Sequence, residues 1–254
     1  MIFKTLIFAC REARILFKAG RNREGYFENE NLLEQTKLAM EIFKEKHPGD
    51  QMLILFDNAT THQARAKDAL SALKMPLRPK LWITKNQTCR MRNGMLRNGE
   101  MQAFYYPDDD PDHPGHFKGM ATLLEERGFN IKGLRAQCKT AFANCNDPSP
   151  TGQCCCRRIL YNEPDFAQQK GSLQELIEKE GHICDFYPKF HPELNFIEQY
   201  WGAAKYTYRL SPPSSRISDM EKNMIHALDK VPLLLIRRSV HPLEPSRWLT
   251  TPPL

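Results

Sequence analysis

The chain has 254 residues, which is enough for one large domain or two small ones with a sizeable buried core. Apolar residues make up 41% of it and charged residues 26%, and this balance excludes a disordered tail and a collagen-like fibre. No apolar run approaches the ~20 residues that a membrane helix needs, and residues 1–10 are too short for a signal peptide. The sequence therefore predicts a soluble intracellular protein with a mildly basic net charge of +6.

The first fifty residues predict two strands followed by a helix. Residues 3–9 and 13–18 are apolar runs of strand length, and GRNREG at residues 20–25 predicts the turn after them. Apolar positions spaced by about 3.6 residues then predict a helix that begins at Asn29 or Asn31 and ends at the HPG tripeptide.

A continuous apolar run, MLILF at residues 52–56, predicts a buried central strand that ends at Asp57. A second helix is expected from the Thr60-Thr61 pair to about residue 74. Residues 75–119 are rich in Pro, Gly, Asn and Arg, and they are interpreted as an irregular insertion.

The second half of the chain predicts mostly helices with one further strand. The predicted elements are a helix at 122–128, a cysteine-rich loop at 138–156, a helix at 173–180, a strand at 182–187 and helices at 195–209 and 218–230. Ser172 with Glu175, and Ser218 with Glu221, are expected to form capping boxes, and Gly181 is expected to end the helix before it. This order of elements is typical of an α/β fold, and two early strands without an intervening helix indicate a mixed sheet.

Composition divides the chain into four segments. The expected boundaries are residues 1–74 for the first part of the core, 75–164 for the insertion, 165–238 for the second part of the core and 239–254 for a frayed, proline-rich tail.

A first candidate site lies in FDNATTH, residues 56–62. Asp57 directly follows the predicted strand, and α/β proteins place ligand-binding groups at the carboxyl ends of strands. Capping of the following helix explains Asp57 equally well.

A second candidate site lies in FYPKFHPELNFIEQYWG, residues 186–202, where a strand leads through a proline-containing turn into a helix that Asn195 can cap. Glu198 would lie in the first turn of that helix, where the helix dipole favours an ionised carboxylate that can bind a metal. A glutamate without any ligand role is also common in a first turn, so Glu198 alone decides nothing.

Together the two segments resemble the catalytic core of the DDE superfamily of transposases, the mariner-like group and its relatives. The pattern is DN-x-x-x-H after an apolar strand, followed later by P-x-[YF]-x-P-[ED]-L-N-x-I-E-x-x-W. The residues that match it are Asp57, Asn58, His62, Pro188, Phe190, Pro192, Glu193, Leu194, Asn195, Ile197, Glu198 and Trp201. From about residue 13 to residue 238 the chain also resembles DDE transposase-like proteins of basidiomycete fungi, in LFKAGRNREGYF, FDNATTH, FKGMA, LEERGF, CCCRRILYNEPDF, LNFIEQYWG and LSPPSS.

The resemblance implies an RNase H-like mixed sheet flanked by helices, here with a long irregular Cys-rich insertion. It implies DNA strand cleavage and transfer, in which three carboxylates bind two Mg²⁺ or Mn²⁺ ions. By position, Asp57 and Glu198 match the second and third carboxylates, and Asn58, His62 and Asn195 would support them. DNA is the implied partner and the nucleus the implied location, and a homo-oligomer is left open.

The first catalytic Asp of the family has no match. Residues 1–10 contain no acidic residue, and Glu12 lies in no motif that would make it the missing ligand. The sequence therefore predicts an N-terminally truncated and inactive relic, or a gene model that starts too late. A non-catalytic DNA-binding remnant of a transposase is the alternative.

A basic stretch offers the surface for such a remnant. Nine basic residues and one acid lie between residues 65 and 97, a density that could bind a phosphate backbone. A solvated helix face and loop is the simpler explanation. The candidate DNA contacts are Arg65, Lys67, Lys74, Arg78, Lys80, Lys85, Arg90, Arg92 and Arg97.

Five of the eight cysteines crowd into residues 138–156. Adjacent cysteines are poor disulfide partners, and such clusters in a reducing compartment more often bind metal. Four thiolates could bind Zn²⁺ tetrahedrally, with His113 and His116 in reserve, whereas free thiols with one oxidisable pair are the alternative. The candidate zinc ligands are Cys138, Cys145, Cys154, Cys155 and Cys156.

Overall fold

A computed structural model describes residues 7–8, 11–18, 20–83, 88–191 and 194–235. These residues form a mixed α/β structure with three two-stranded sheets, which confirms the predicted class. Within these ranges, no helix has the length and apolar character needed to cross a membrane.

The strands are short, and the helices make up most of the regular structure. The strands are β1 (Ile7–Phe8), β2 (Arg11–Glu12), β3 (Leu53–Phe56), β4 (Gly94–Met95), β5 (Met101–Gln102) and β6 (Ile183–Phe186). The α-helices are α1 (Asn29–Lys46), α2 (Gly119–Glu126), α3 (Cys156–Asn162), α4 (Pro164–Ala167), α5 (Ser172–Lys179), α6 (Phe196–Arg209) and α7 (Ile217–Asp229). Short 3₁₀ helices lie at Ala72–Lys74 and Phe142–Asn144. β3 pairs with β6 in parallel, whereas β1 with β2 and β4 with β5 are antiparallel pairs.

The β3–β6 pair lies in a first core together with α1 and α5. In its register Leu53 lies opposite Ile183, and Phe56 lies opposite Phe186. Leu32 and Met40 of α1 and Leu173 and Ile177 of α5 are the buried helix residues of this core. The strands predicted at 52–56 and 182–187 are confirmed by β3 and β6, and the helices predicted to begin at Asn29 or Asn31 and at 173 are confirmed by α1 and α5. The apolar run of β3 and the helical spacing in α1 are strong local signals.

A second core fills the segment that was predicted to be an irregular insertion. Buried aromatic and methionine side chains from residues 75–119 pack against α2 and α3. The rings of Phe104 and Phe117 are fully buried and meet edge to face, with centroids 6.1 Å apart. The segment has little regular structure and is nevertheless well packed, since its apolar residues lie at irregular spacings that show no period in the sequence.

A network of ion pairs that includes buried side chains lies beside this second core. The side chain of Arg127 is only 2% exposed, and its guanidinium nitrogens lie 3.2 Å from Glu163 and 2.8 Å from Asp165. Arg97 reaches the same Glu163 at 2.7 Å from the surface. The network joins the end of α2 to the start of α4.

The helix predicted from Thr60-Thr61 to residue 74 is wrong. The N–H groups of His62 and Gln63 donate to the carbonyl of Ala59, which makes one turn, and regular helix returns only at Ala72–Lys74. Asp68 is bound by Arg92 at 2.8 Å, and the Leu70 N–H donates to Gln169. These contacts with distant parts of the chain take precedence over the local helical preference.

The N-terminal strands differ from the prediction. Among the described residues here, strand structure is limited to β1 and β2, so the strand expected at 13–18 is wrong. Ala13 instead packs against Ala39 and Ile42 of α1. The turn expected at 20–25 is confirmed, because Gly20 and Gly25 exchange two backbone hydrogen bonds of 2.8 and 3.2 Å.

The predicted burial of β3 and the single mixed sheet are not observed in the described part of the chain. Leu53 is 57% exposed, and Phe56 alone of the four residues of β3 is buried. β6 is the one described strand that pairs with β3, so β3 is not seen as a central strand.

The helix ends also differ in detail. Gly171 precedes α5, and Ser172 and Glu175 form no capping box, because the Glu175 carboxylate accepts hydrogen bonds from Arg92. The Ser218–Glu221 box is likewise absent, since α7 begins directly after Arg216. Gly181 follows the end of α5, as predicted, and has a φ of 81°. Helix α2 begins three residues earlier than predicted. Helices α3 and α4 were not predicted. The tail at 239–254 lies outside the described residues.

Candidate functional site

The parallel pairing of β3 with β6 brings both motif segments to one edge. Asp57 directly follows β3, and Tyr187 directly follows β6 and donates its N–H to the Phe56 carbonyl at 2.9 Å. The side-chain amide of Asn58 donates to the Tyr187 carbonyl, which joins the two segments just beyond the strands. This edge, from Asp57–His62 on one side to Tyr187–Glu198 on the other, is called the strand edge below.

His62 holds the Asp57 carboxylate in place. Its Nδ1 lies 2.5 Å from Asp57 Oδ1 and 3.2 Å from the Asp57 carbonyl oxygen. Both partners are acceptors, so Nδ1 carries the proton. Asp57 Oδ1 also accepts the Ala59 N–H at 3.0 Å. The two contacts to the carboxylate both fall on Oδ1, and the Asp57 side chain is 48% exposed, so Oδ2 is accessible to a cation.

A cavity of about 450 Å³ lies beside this edge, between α1, β3 and the start of α6. Asp57, His62, Asn195 and Trp201 line it together with apolar residues of α1 and β3. His62 and Asn195, which were predicted to support Asp57, therefore line the same cavity as Asp57.

Glu198 lies on the first turn of α6, as predicted, and its N–H donates to the Asn195 carbonyl at 2.9 Å. It is exposed and does not line the cavity. Two other motif residues, Pro192 and Glu193, lie outside the described part of the chain. The structure thus brings Asp57, His62 and Asn195 together and sets Glu198 one turn further along the helix.

The basic stretch does not form one uniform free surface. Three of its cations are neutralised: Lys67 pairs with Glu30 at 3.0 Å, Arg92 with Asp68 and Glu175 at 2.8 Å, and Arg97 with Glu163 at 2.7 Å. Arg90 lies over the ring of Tyr105, 5.0 Å from its centroid, and Lys85 lies outside the described residues. The exposed cations that form no ion pair with another described residue are Arg65, Lys74, Arg78 and Lys80.

Four of the five clustered cysteines meet at one point. The sulfur atoms of Cys138, Cys145, Cys154 and Cys155 all lie within 4.8 Å of one another, and these residues are called the four-cysteine cluster below. All are free thiols. Four cysteines so arranged can bind a metal such as zinc.

The other candidate ligands lie elsewhere. Cys156 begins α3 and is fully buried in the second core. His113 stacks on the ring of Tyr106, with centroids 5.3 Å apart, and His116 Nδ1 lies 2.9 Å from the Pro114 carbonyl. The predicted set of five cysteines with two reserve histidines therefore narrows to four cysteines.

The thiols of the cluster differ in acidity. The Asn146 N–H donates to the Cys138 sulfur at 3.3 Å and lowers the pKa of that thiol to about 7. Burial raises the pKa of Cys145 to about 12 and also raises the pKa of Cys154. Without a metal, Cys138 is thus the thiol most easily ionised among these three.

Sequence reasoning missed two arginines beside the cluster. Arg158 is 5% exposed, lies 3.9 Å from the centroid of the Phe142 ring and donates to the Phe142 carbonyl at 3.1 Å. Arg157 donates to the Ala72 carbonyl. The Nε atoms of both are buried and have no hydrogen-bond partner. Their position directly after three cysteines, in the run CCCRR, was the available signal.

The fold and these two sites define a mixed α/β protein with a polar strand edge and a four-cysteine cluster. Compared with known proteins, the chain matches no family model, no curated protein and no solved structure.

Proposed function

We propose that the strand edge is a DNA site of DDE transposase descent, at which Asp57 and Glu198 bind a divalent metal. The parallel pairing of β3 with β6 is the supporting observation, since it joins the two segments that resemble the transposase motif. An RNase H-like origin of the fold and a nuclear role are part of this proposal.

The donor atoms suit Mg²⁺ or Mn²⁺, because both ions prefer oxygen ligands. Asp57 offers Oδ2 while His62 holds Oδ1, and Glu198 offers an exposed carboxylate on the first turn of α6. A metal bound there would supply Lewis-acid stabilisation of phosphate oxygens. The motif supplies two carboxylates, whereas the family uses three. We therefore propose metal-dependent DNA binding in which strand cleavage is slow or absent.

Metal-independent DNA binding is a second candidate. The observation in its favour is the set of exposed cations without an ion pair to another described residue, namely Arg65, Lys74, Arg78 and Lys80. Binding through such groups releases counterions, so its affinity would fall steeply with salt and would not need a divalent ion.

DNA affinity measured with and without Mn²⁺ separates the two candidates. The variants are Asp57→Asn and Glu198→Gln, and Asp50→Asn is the matched control, because Asp50 is an exposed acid before β3. We expect Mn²⁺ to tighten binding by the wild type and the control and to leave both site variants unchanged. If Mn²⁺ does not change the DNA affinity of any of the four proteins, metal-independent binding is favoured. If the wild type does not bind DNA at all, both candidates are contradicted.

Plasmid nicking in Mg²⁺ and in Mn²⁺ tests the catalytic part. We expect little or no nicking by the wild type. Robust cleavage that both Asp57→Asn and Glu198→Gln abolish would show that a third carboxylate completes the site, and it would overturn the expectation of slow or absent cleavage.

A further inference from the structure

We propose that the four-cysteine cluster binds one structural Zn²⁺ ion and that two neighbouring arginines, the half-buried Arg157 and the buried Arg158, balance the charge of this centre. This role goes beyond the proposed DNA function, because it concerns the second core and no residue of the strand edge.

The distances between the sulfur atoms fit a single tetrahedral metal. With Zn–S bonds of about 2.3 Å, tetrahedral thiolates lie about 3.8 Å apart. The Cys138 and Cys154 sulfurs are 3.5 Å apart, and those of Cys154 and Cys155 are 4.0 Å apart. A bridged iron–sulfur cluster holds its thiolates farther apart, since several iron and sulfide atoms lie between them. The sulfur–sulfur distances therefore fit one metal ion.

Four protein ligands make this a closed site. A catalytic zinc keeps one position open for water or substrate, whereas structural zinc is bound by four side chains. The four-cysteine cluster supplies all four ligands, so the ion would stabilise the fold and would not perform chemistry.

The surrounding charge supports a dianionic centre. One Zn²⁺ with four thiolates carries a net charge of −2. Arg157 and Arg158 form no ion pair with any Asp or Glu in the described part of the chain, and the Nε of each is buried without a hydrogen-bond partner. Arg157 interacts electrostatically with Cys145 and Cys155, and Arg158 favours the ionised form of Cys145. Asp147 interacts electrostatically with Arg158 but forms no ion pair with it. Burial of a cation without an ion-pair partner is costly, and the dianionic metal centre would offset that cost.

The ion would fasten a loop to the second core. Cys138 and Cys145 belong to a stretch whose only described regular structure is the 3₁₀ helix at Phe142–Asn144. Cys155 directly precedes α3, whose Ile159 and Leu160 are buried in the second core. A metal that joins these residues therefore ties the loop to the start of α3.

Zinc content of the full chain, purified without chelators, tests the site. We expect about one Zn²⁺ per chain in the wild type and in Cys89→Ser, and near zero in Cys145→Ser. Cys89 is the matched control because it is a free thiol outside the four-cysteine cluster. Equal zinc content in all three proteins, or wild type without zinc, would overturn the proposal.

Cobalt substitution covers the case in which Cys145→Ser does not fold. Metal-depleted wild type titrated with Co²⁺ should develop thiolate charge-transfer bands and the visible bands of tetrahedral Co²⁺, with an endpoint at one equivalent. A Cys138–Cys154 disulfide found by mass spectrometry in the metal-free protein, with no such bands after reduction, would show an oxidisable thiol pair instead of a metal site.

Competition with a chelator tests whether Arg158 contributes to zinc affinity. Arg158→Gln removes the charge, whereas Arg158→Lys keeps it. We expect Arg158→Gln to lower zinc affinity by about 10- to 100-fold, in the range seen when an outer-shell partner of a metal site is lost, and Arg158→Lys to restore most of it. Equal affinity in the wild type and both variants would overturn the assigned charge balance.

Discussion

At the scale of single residues, the second core depends on paired buried charges. Arg127 lies between Glu163 and Asp165, and the exposed fractions of the three side chains are 2%, 2% and 9%. A buried charge that loses its partner is strongly destabilising.

Arg127→Met would leave both carboxylates without this cation. We expect the free energy of unfolding, measured by urea denaturation, to fall by about 3–5 kcal/mol. Arg21→Met is the control, since Arg21 is exposed in a turn and its replacement should change stability by less than about 0.5 kcal/mol. Equal losses in the two variants would contradict a role for the buried network.

The thiol acidities lead to a second prediction at this scale, for metal-free protein. The pKa of Cys138 is lowered to about 7 and that of Cys145 is raised to about 12, so near pH 8 Cys138 is largely thiolate whereas Cys145 is protonated. Iodoacetamide should therefore modify Cys138 before Cys145, and the rate at Cys138 should rise with pH through about 7 and then level off. Peptide mass spectrometry measures the order, and earlier modification of Cys145 would contradict it.

At the scale of elements, the start of α2 requires a glycine. Gly119 has a φ of 84°, and a Cβ there would lie 2.6 Å from the backbone carbon of Arg78. Gly133 has a similar φ of 80°, but a Cβ there would meet no atom within 4 Å. The two positions share the backbone strain and differ in the available space.

Alanine substitution at both positions separates these effects. We expect Gly133→Ala to cost about 1–2 kcal/mol, which is the strain of a left-handed backbone alone. Gly119→Ala should cost clearly more, because the clash is with backbone atoms that cannot rotate away. Thermal unfolding provides the comparison, and equal melting temperatures would show that α2 shifts to make room.

At the scale of the whole molecule, polar contacts join the first core to the second. Arg92 pairs with Glu175, Gln169 accepts the Leu70 N–H, and the Ser172 hydroxyl lies 2.9 Å from the Ala64 carbonyl. The cluster that we propose to bind zinc lies beside the second core only.

Removal of the metal should therefore destabilise the second core and leave the first core unchanged. We expect a zinc chelator to reduce hydrogen-exchange protection in α2 and α3 while protection in α1, β3 and β6 is kept. Cys145→Ser should reproduce this pattern, and the control Cys89→Ser should not. Equal loss of protection throughout would show that the two cores unfold as one unit.

The sequence by itself determined those features whose signals are local. The 3.6-residue period predicted α1, and the apolar run at 52–56 predicted β3. The positions of Asp57 at a strand end and of Glu198 in a first helical turn followed from the predicted elements. Only the tertiary structure decided which four cysteines meet, which basic residues are neutralised and why residues 60–71 form no regular helix. Each of these outcomes depends on partners that are distant in sequence, such as Arg92 with Glu175 or Cys138 with Cys154, and no local pattern encodes such contacts.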